Sequence, residues 1–368
     1  MEKVSAFLRR KDIVFSPKRY FIDAMSAMAQ GLFCTLLVGT ILNTLGTQLH
    51  IGFLTDIIVT LGKGDGAVGY TIGGLCSAMV GPGMAVAIGQ ALNAPPMVLF
   101  SLIPVGFATN AMGGAGGPLA VLFVAIIAAE IGKAVSKETK IDILVTPIVT
   151  ILSGIGAAAL IAAPIGTAAS AVGKAIMWAT ELQPFFMGII VSVVIGIALT
   201  LPISSAAICA ALGLTGLAGG AAVAGCCAQM VGFAVMSFRE NRWGGLAAQG
   251  LGTSMLQMGN IVRNPRIWIP PTLASAITGP IATCIFRMEM NGAAVSSGMG
   301  TCGLVGQIGV YTGWLADIEA GTKAAITATD WLGLVLICFV LPAILSWLIA
   351  LPLHKWGWIG ENDLKLDL

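Results

Sequence analysis

Apolar residues run along this chain in blocks too long and too continuous for a water-facing fold. They occupy roughly 21–45, 67–92, 95–112, 117–134, 143–170, 185–213, 217–237, 268–286, 303–316 and 331–352. A helix that crosses a bilayer needs roughly 20 apolar residues. The pattern therefore predicts an all-α polytopic membrane protein with about eight to ten transmembrane helices. Two stretches, 48–62 and 246–260, are shorter and more polar, and they read as amphipathic or re-entrant pieces.

An internal duplication is superimposed on the blocks. Gly74-Leu-Cys-Ser-Ala-Met-Val-Gly81 returns as Gly225-Cys-Cys-Ala-Gln-Met-Val-Gly232. Pro95-Pro96 with Pro104, Phe107 and Gly113 is echoed by Pro270-Pro271 with Pro280, Phe286 and Gly292, and Gly31 and Gly39 by Gly188 and Gly196. Repeated halves are a common plan of transporters. The predicted organisation is a basic segment 1–20, a first membrane repeat 21–134, a connecting loop and helix 135–184, a second repeat 185–316, and a C-terminal helix and tail 317–368. Four spans per half and one connector would make the repeat inverted. That count would put Arg239-Glu-Asn-Arg242 outside, against the positive-inside bias, so the orientation of the second half stays open.

Composition agrees with a lipid-covered protein. Of 368 residues, 57% are hydrophobic and 10% charged, and the mean hydropathy is +0.93. Soluble domains carry roughly a quarter charged residues. Lys3, Arg9, Arg10, Lys11, Lys18 and Arg19 precede the first span, and a second basic loop runs Lys133 to Lys140. Both are expected on the cytoplasmic side of the inner membrane, with no cleavable signal peptide. The 48 glycines predict closely packed helices. The eight cysteines have no metal spacing and read as small, buried, reduced packing residues.

Transporters hold solute where helices are interrupted and freed backbone groups face a cavity. Two such breaks correspond in the duplication: Phe107-Ala-Thr109-Asn110-Ala-Met-Gly113 through Pro118, and Phe286-Arg287-Met-Glu289-Met-Asn291-Gly292 through Gly303. Glu289 is a functional candidate as an ionisable group in or near the membrane, either accepting solute hydroxyls or coupling a proton. Arg287 would not share its face on a helix, although an unwound segment lets both reach one ligand; the plain alternative is that both sit in a loop at the water interface. Thr109, Asn110 and Asn291 complete the predicted midplane pocket. Ser204 and Ser205, beside the Pro202 kink, are weaker candidates whose hydroxyls also suit local repair of the kink. Gln90 and Gln229 suit hydrogen bonds between helices, and Glu130 beside Lys133 suits a snorkelling surface pair. Asp56 suits an interfacial polar face. His50 and His354 stand alone at span ends. No nucleophile–base pair, metal cluster, phosphate loop or nucleic-acid patch is present in the pattern, so neither enzyme chemistry nor a cofactor is expected.

Phe15-Ser-Pro-Lys-Arg-Tyr-Phe-Ile-Asp23 with the residues following it, the Asn93-Ala-Pro-Pro break and the Thr200-Leu-Pro-Ile-Ser-Ser205 kink resemble the second EIIC-like family of phosphotransferase-system membrane subunits, which includes PfoR-type proteins. The resemblance spans about 15–355. It implies a sugar-permease-like membrane domain, a homodimer, and an elevator-like movement. Glu289 would take the acidic role of better-known permeases, although their Gly-Ile-Thr-Glu motif and a neighbouring histidine are absent. The chain carries no soluble phosphotransfer domain, so phosphorylation would need separate soluble subunits. The expected function is transport of a small polar solute such as a sugar, polyol or organic anion. The alternative is a membrane-embedded sensor or regulator of PfoR type without net transport.

Overall fold

The computed structural model describes residues 2–62, 67–180 and 182–366. Met1, Glu181 and the last two residues, which belong to the predicted leading segment, connector and tail, lie outside them. The chain is helical and divides into two compact units, 1–168 and 169–368. Among the described residues, five helices are long and apolar enough to cross a membrane, or six if one bent pair counts as a single span.

Unit 1 opens with a short helix, Glu2–Arg10, followed by the span α1, Lys18–Thr47. A bent pair comes next, α2 (Ile72–Ala78) and α3 (Val80–Ala91), with 53° between its halves. Thr71 caps α2 by accepting from the Gly74 amide at 3.0 Å. The run Pro96–Val135 has 40 residues, about 60 Å of helix and twice the hydrocarbon thickness. It is turned back at Gly114, whose φ of +51° suits glycine. The two arms, α4 (Pro96–Gly113) and α5 (Gly117–Val135), are antiparallel, because Val98 packs against Gly132 near one end and Gly113 against Ala120 near the other. Helix α6, Asp142–Thr180, packs on this hairpin and continues into unit 2. A Cβ on Gly81 would stand 2.2 Å from the Gly106 carbonyl oxygen, so α3 and α4 approach to backbone contact.

Segment 48–62 is not an amphipathic helix. It holds one turn, Gly52–Thr55, and then β1 (Val59–Leu61), which pairs antiparallel with β2 (Val68–Tyr70). The β-branched run Ile57-Ile-Val-Thr60 favours this ribbon over helix.

The basic leading segment is fastened to the end of the hairpin. Arg10 and Lys11 pair with Glu138 at 2.6 and 2.5 Å, and Lys11 also donates to the Ser136 carbonyl. Arg19 makes a two-pronged pair with Asp12 at 2.6 and 3.2 Å. The Lys133 ammonium donates to the Asp12 and Leu92 carbonyls at 2.7 and 2.9 Å and lies 3.0 Å from Glu130 Oε2. Only 1% of the Lys133 side chain and 11% of Glu130 is exposed. The expected snorkelling surface pair is therefore a buried pair, because the leading segment covers it. The two basic segments thus lie together at one end of unit 1.

Unit 2 contains α7 (Pro184–Thr200), α8 (Ser205–Ala211), the buried helix α9 (Gly216–Met236), α10 (Ile269–Pro280, prolonged by one wide turn to Ile285), α11 (Val305–Glu319) and the last span α12 (Ala328–Lys355). Helix α9 is surrounded by α7, α10 and α12. The stretch read as one span, 185–213, is two helices divided at Leu201–Ser204. Segment 246–260 is a run of short broken helical turns that buries Gln249, Thr253, Ser254, Gln257 and Asn260. The side-chain amides of Gln257 and Asn260, with that of Asn241 before the segment, hold the C-terminal tail. Asn241 donates to the Leu364 carbonyl at 2.7 Å and accepts the Leu366 amide at 2.8 Å, while Gln257 and Asn260 donate to Leu364 and Lys365 carbonyls at 2.9 and 2.8 Å.

The first helix of each duplicated half meets the corresponding block, Gly39 on Gly73 and Cys76, and Gly196 on Gly225 and Gln229, but in a different direction. In unit 1, α1 runs antiparallel to the α2–α3 pair, with Gly31 on Gly83 and Gly39 on Gly73. In unit 2, Ser192 and Gly196 pack on Gly225 and Gln229, so α7 runs parallel to α9. Gly81 packs on Gly106, whereas its counterpart Gly232 packs on Pro271 and Ser346. Common to both units is the antiparallel pair that follows, α3 with α4 and α9 with α10.

Candidate functional site

The second predicted break opens a polar pocket in unit 2. After Ile285 the helix ends: Phe286 is still helical, Arg287 has φ +47°, and the chain then extends. Met290 forms an antiparallel bridge with Gly216 at the start of α9, with both N–H···O distances 3.0 Å. Glycine on α9 permits this crossing. A Cβ on Gly220 would stand 1.7 Å from the Met288 carbonyl oxygen.

Extended backbone alternates its side chains. Met288 and Met290 turn inward and are buried, in a cluster with Val223, Cys227, Val310 and Trp314. Arg287, Glu289 and Asn291 turn the other way and line one cavity of about 340 Å³. The unwound alternative is thus the one observed, and it puts Arg287 and Glu289 on one face. Trp314 and Asp317 of α11, Thr322 and Lys323 of the following turn, and Asp330 of α12 complete the lining.

Asn291 organises the polar groups. Its Oδ1 accepts from the Gly216 amide at 3.1 Å. Its Nδ2 lies 2.9 and 3.1 Å from the Asp317 oxygens and 3.2 Å from Glu289 Oε2. Its two hydrogens can therefore serve both carboxylates. Lys323 pairs with Asp330 at 2.9 Å and lies 5.8 Å from the Trp314 ring centre. Asp330 also closes a capping box with Thr327 at the start of α12. Arg287 and Glu289 are both exposed. A polyhydroxylated molecule here would meet carboxylate acceptors and cationic donors within reach of one another. The cavity lies at the amino-terminal ends of α9 and α12, which carry Gly216 and Asp330, so it faces one end of unit 2.

The other candidates have different surroundings. Thr109 is buried in α4 and donates to its own helix at the Val105 carbonyl, 2.7 Å. Asn110 is half-buried, wedged between Gly81 and Gly117: a Cβ on Gly117 would stand 2.5 Å from Asn110 Oδ1. Ser204 caps α8 through the Ala207 amide at 3.2 Å. Ser205 is buried and donates to the Gly298 carbonyl at 2.8 Å, tying α8 to the second break. Gln229 is fully buried and bridges helices, accepting from Trp268 Nε1 at 2.9 Å and lying 3.3 Å from the Thr272 hydroxyl. Gln90 is exposed. All eight cysteines are free: Cys209, Cys226, Cys227, Cys302 and Cys338 are buried, Cys76 is half-buried, and Cys34 and Cys284 are exposed. Among the described residues no group of His, Cys, Asp and Glu could hold a metal.

The family model described as "Phosphotransferase system, EIIC" matches residues 22–366, nearly the whole chain. The chain belongs to the phosphotransferase-system EIIC family. No curated protein and no solved structure matches it. An EIIC chain is a membrane permease component, and the long apolar helices agree with a multi-pass membrane protein. Sequence reasoning about this EIIC protein missed Trp314, Asp317, Lys323 and Asp330. Asp317 was readable only as the first charge after the block 303–316. Asp330 had a signal, since Thr327-Ala-Thr-Asp330 before an apolar run is a helix-start pattern.

Proposed function

We propose that this EIIC protein is the permease component of an uptake system for a small polar solute, and that the unit 2 pocket receives that solute. The observation that carries the reading is the convergence of Arg287, Glu289, Asn291, Asp317 and Lys323 on one cavity of about 340 Å³. Its size falls within the range of small-molecule sites. Its polar lining favours a sugar or polyol over an apolar ligand, and Arg287 leaves room for a small organic anion. Glu289 and Asp317 accept solute hydroxyls, Arg287 donates, and Asn291 holds the two carboxylates in register.

A cavity open at one end of its unit suits one end state of alternating access, with an elevator-like shift exposing it on the other side. The basic end of unit 1 faces the cytoplasm by the positive-inside rule, which places the amino terminus inside a bacterial-type inner membrane. The family resemblance supports a homodimer as the working form. Phosphorylation of the solute, where it occurs, falls to separate soluble subunits. Thr109 and Asn110 do not line this pocket, and the Thr109 hydroxyl is satisfied within its own helix.

The test has two steps. A thermal-shift screen over sugars, polyols and small carboxylates identifies the ligand, because binding raises apparent stability by mass action. Counterflow of that ligand in proteoliposomes then follows. Exchange supports a permease; binding without exchange supports a sensor and overturns the transport reading.

A further inference from the structure

The opposite ends of α9 and α12 bear a second cavity, of about 450 Å³, which the solute site does not use. Its walls are apolar, with Met236, Leu246, Trp347 and Leu351 among them, and its titratable lining residues are Arg239 and His354. Arg239 is exposed, and no hydrogen bond or ion pair is recorded for it among the described residues. His354 Nδ1 donates to the Ile359 carbonyl at 3.0 Å, which ties the ring to the tail and leaves Nε2 as an acceptor, so Arg239 is the group in the lining that can hold an anion.

The surroundings are those of a membrane interface. Trp243, Trp347 and Trp356 are 74%, 50% and 65% exposed, and indole rings concentrate at headgroup depth. Arg242, Arg263, Arg266 and Lys355 lie on the same chain segments as these groups, against Glu240, Glu361 and Asp363. Asp363 is already engaged by Asn264 at 2.7 Å and by the Gly360 amide at 2.8 Å. The other end of unit 2 carries Arg287 and Lys323 against Glu289, Asp317, Glu319 and Asp330. Positive charge therefore collects at the end with the apolar cavity, the end that the positive-inside rule assigns to the cytoplasmic leaflet. That leaflet presents anionic headgroups.

We infer that this cavity binds one anionic phospholipid, with an acyl chain against Met236, Leu246, Trp347 and Leu351 and the phosphate on Arg239. An apolar cavity with a cationic lining fits a phosphodiester joined to a hydrocarbon chain better than it fits a free anion. The site does not depend on the solute reading, since it shares no lining residue with the solute cavity.

The experiment is native mass spectrometry of the full chain in detergent, titrated with phosphatidylglycerol, phosphatidylcholine or inorganic phosphate. The expected result is retained phosphatidylglycerol, with phosphatidylcholine bound several-fold more weakly and inorganic phosphate unable to displace the lipid. Arg239→Gln weakens phosphatidylglycerol binding roughly fivefold, the effect of one basic group at an anionic surface. Ala350→Phe, which fills the cavity, weakens both lipids, and an unchanged melting temperature in detergent shows that the fold survives. Equal retention of the two lipids, displacement by inorganic phosphate, or full binding by either variant overturns the assignment.

Discussion

Lys133 is the most informative single perturbation of the fold. Its ammonium has three partners, the Asp12 and Leu92 carbonyls and Glu130 Oε2, at 2.7, 2.9 and 3.0 Å. Lys133→Met keeps most of the apolar stem and removes the charge, leaving Glu130 Oε2 without its cation. Glu130 Oε1 keeps the Tyr20 hydroxyl at 3.1 Å, and the Leu92 carbonyl keeps Arg19 at 2.7 Å. Breaking one side of a buried pair costs about 3–5 kcal/mol. For a unit of this size that lowers the melting temperature by on the order of 10 °C. Lys133→Met combined with Glu130→Gln removes both charges, so it should cost less than the sum of the single changes, by about 1–3 kcal/mol. Thermal denaturation of the four proteins in one detergent closes the cycle. A Lys133→Met protein as stable as the parent, or strict additivity in the double variant, refutes the buried-pair reasoning.

Three further outcomes follow from other parts of the chain. Gly220→Ala puts a methyl on the Met288 carbonyl, so it should abolish solute binding and lower stability by about 1–3 kcal/mol, as read by ligand-induced thermal shift. Asn241→Ala removes both bonds to the tail and should cost about 1–3 kcal/mol, seen as faster hydrogen exchange at 363–366 with little change in α9. Asp12 is held at about 2, below its ordinary 3.8, chiefly by the Arg19 hydrogen bond. Its stabilising contribution is present above the unfolded value and is lost as pH falls towards the folded one. The leading segment should therefore loosen between about pH 4 and pH 2, and Asp12→Asn should remove that step from a proteolysis profile.

How much of this was legible depends on which interactions define each part. The spans were readable because lipid imposes a length and an apolar composition, and α1, α6, α9 and α12 fall where the apolar blocks lie. The span count came out higher than the set of helices long enough to cross, because 95–112 and 117–134 join into the single run Pro96–Val135, 67–92 is bent, 185–213 is broken at Leu201–Ser204, and 268–286 and 303–316 yield only the shorter helices α10 and α11. Glu289 and Asn291 were readable from charge and amide groups in an apolar context. Their shared face was not, because it required Arg287 to leave the helix and Met290 to pair with Gly216, a contact 74 residues distant in sequence. The repeated blocks marked helices that pack closely through glycine, but a motif of small residues does not fix which neighbour it meets. Burial of Lys133 was hidden for the same reason: the leading segment that covers it lies 121 residues away.

Solute counterflow by proteoliposomes of the parent and of Asn291→Ala, the residue that links Gly216, Glu289 and Asp317, tests the central claim most directly. The unit 2 site predicts exchange by the parent and at least a roughly tenfold loss in the variant, the cost of two charge-assisted hydrogen bonds. Undiminished exchange by a folded Asn291→Ala protein would place the solute elsewhere and contradict the site.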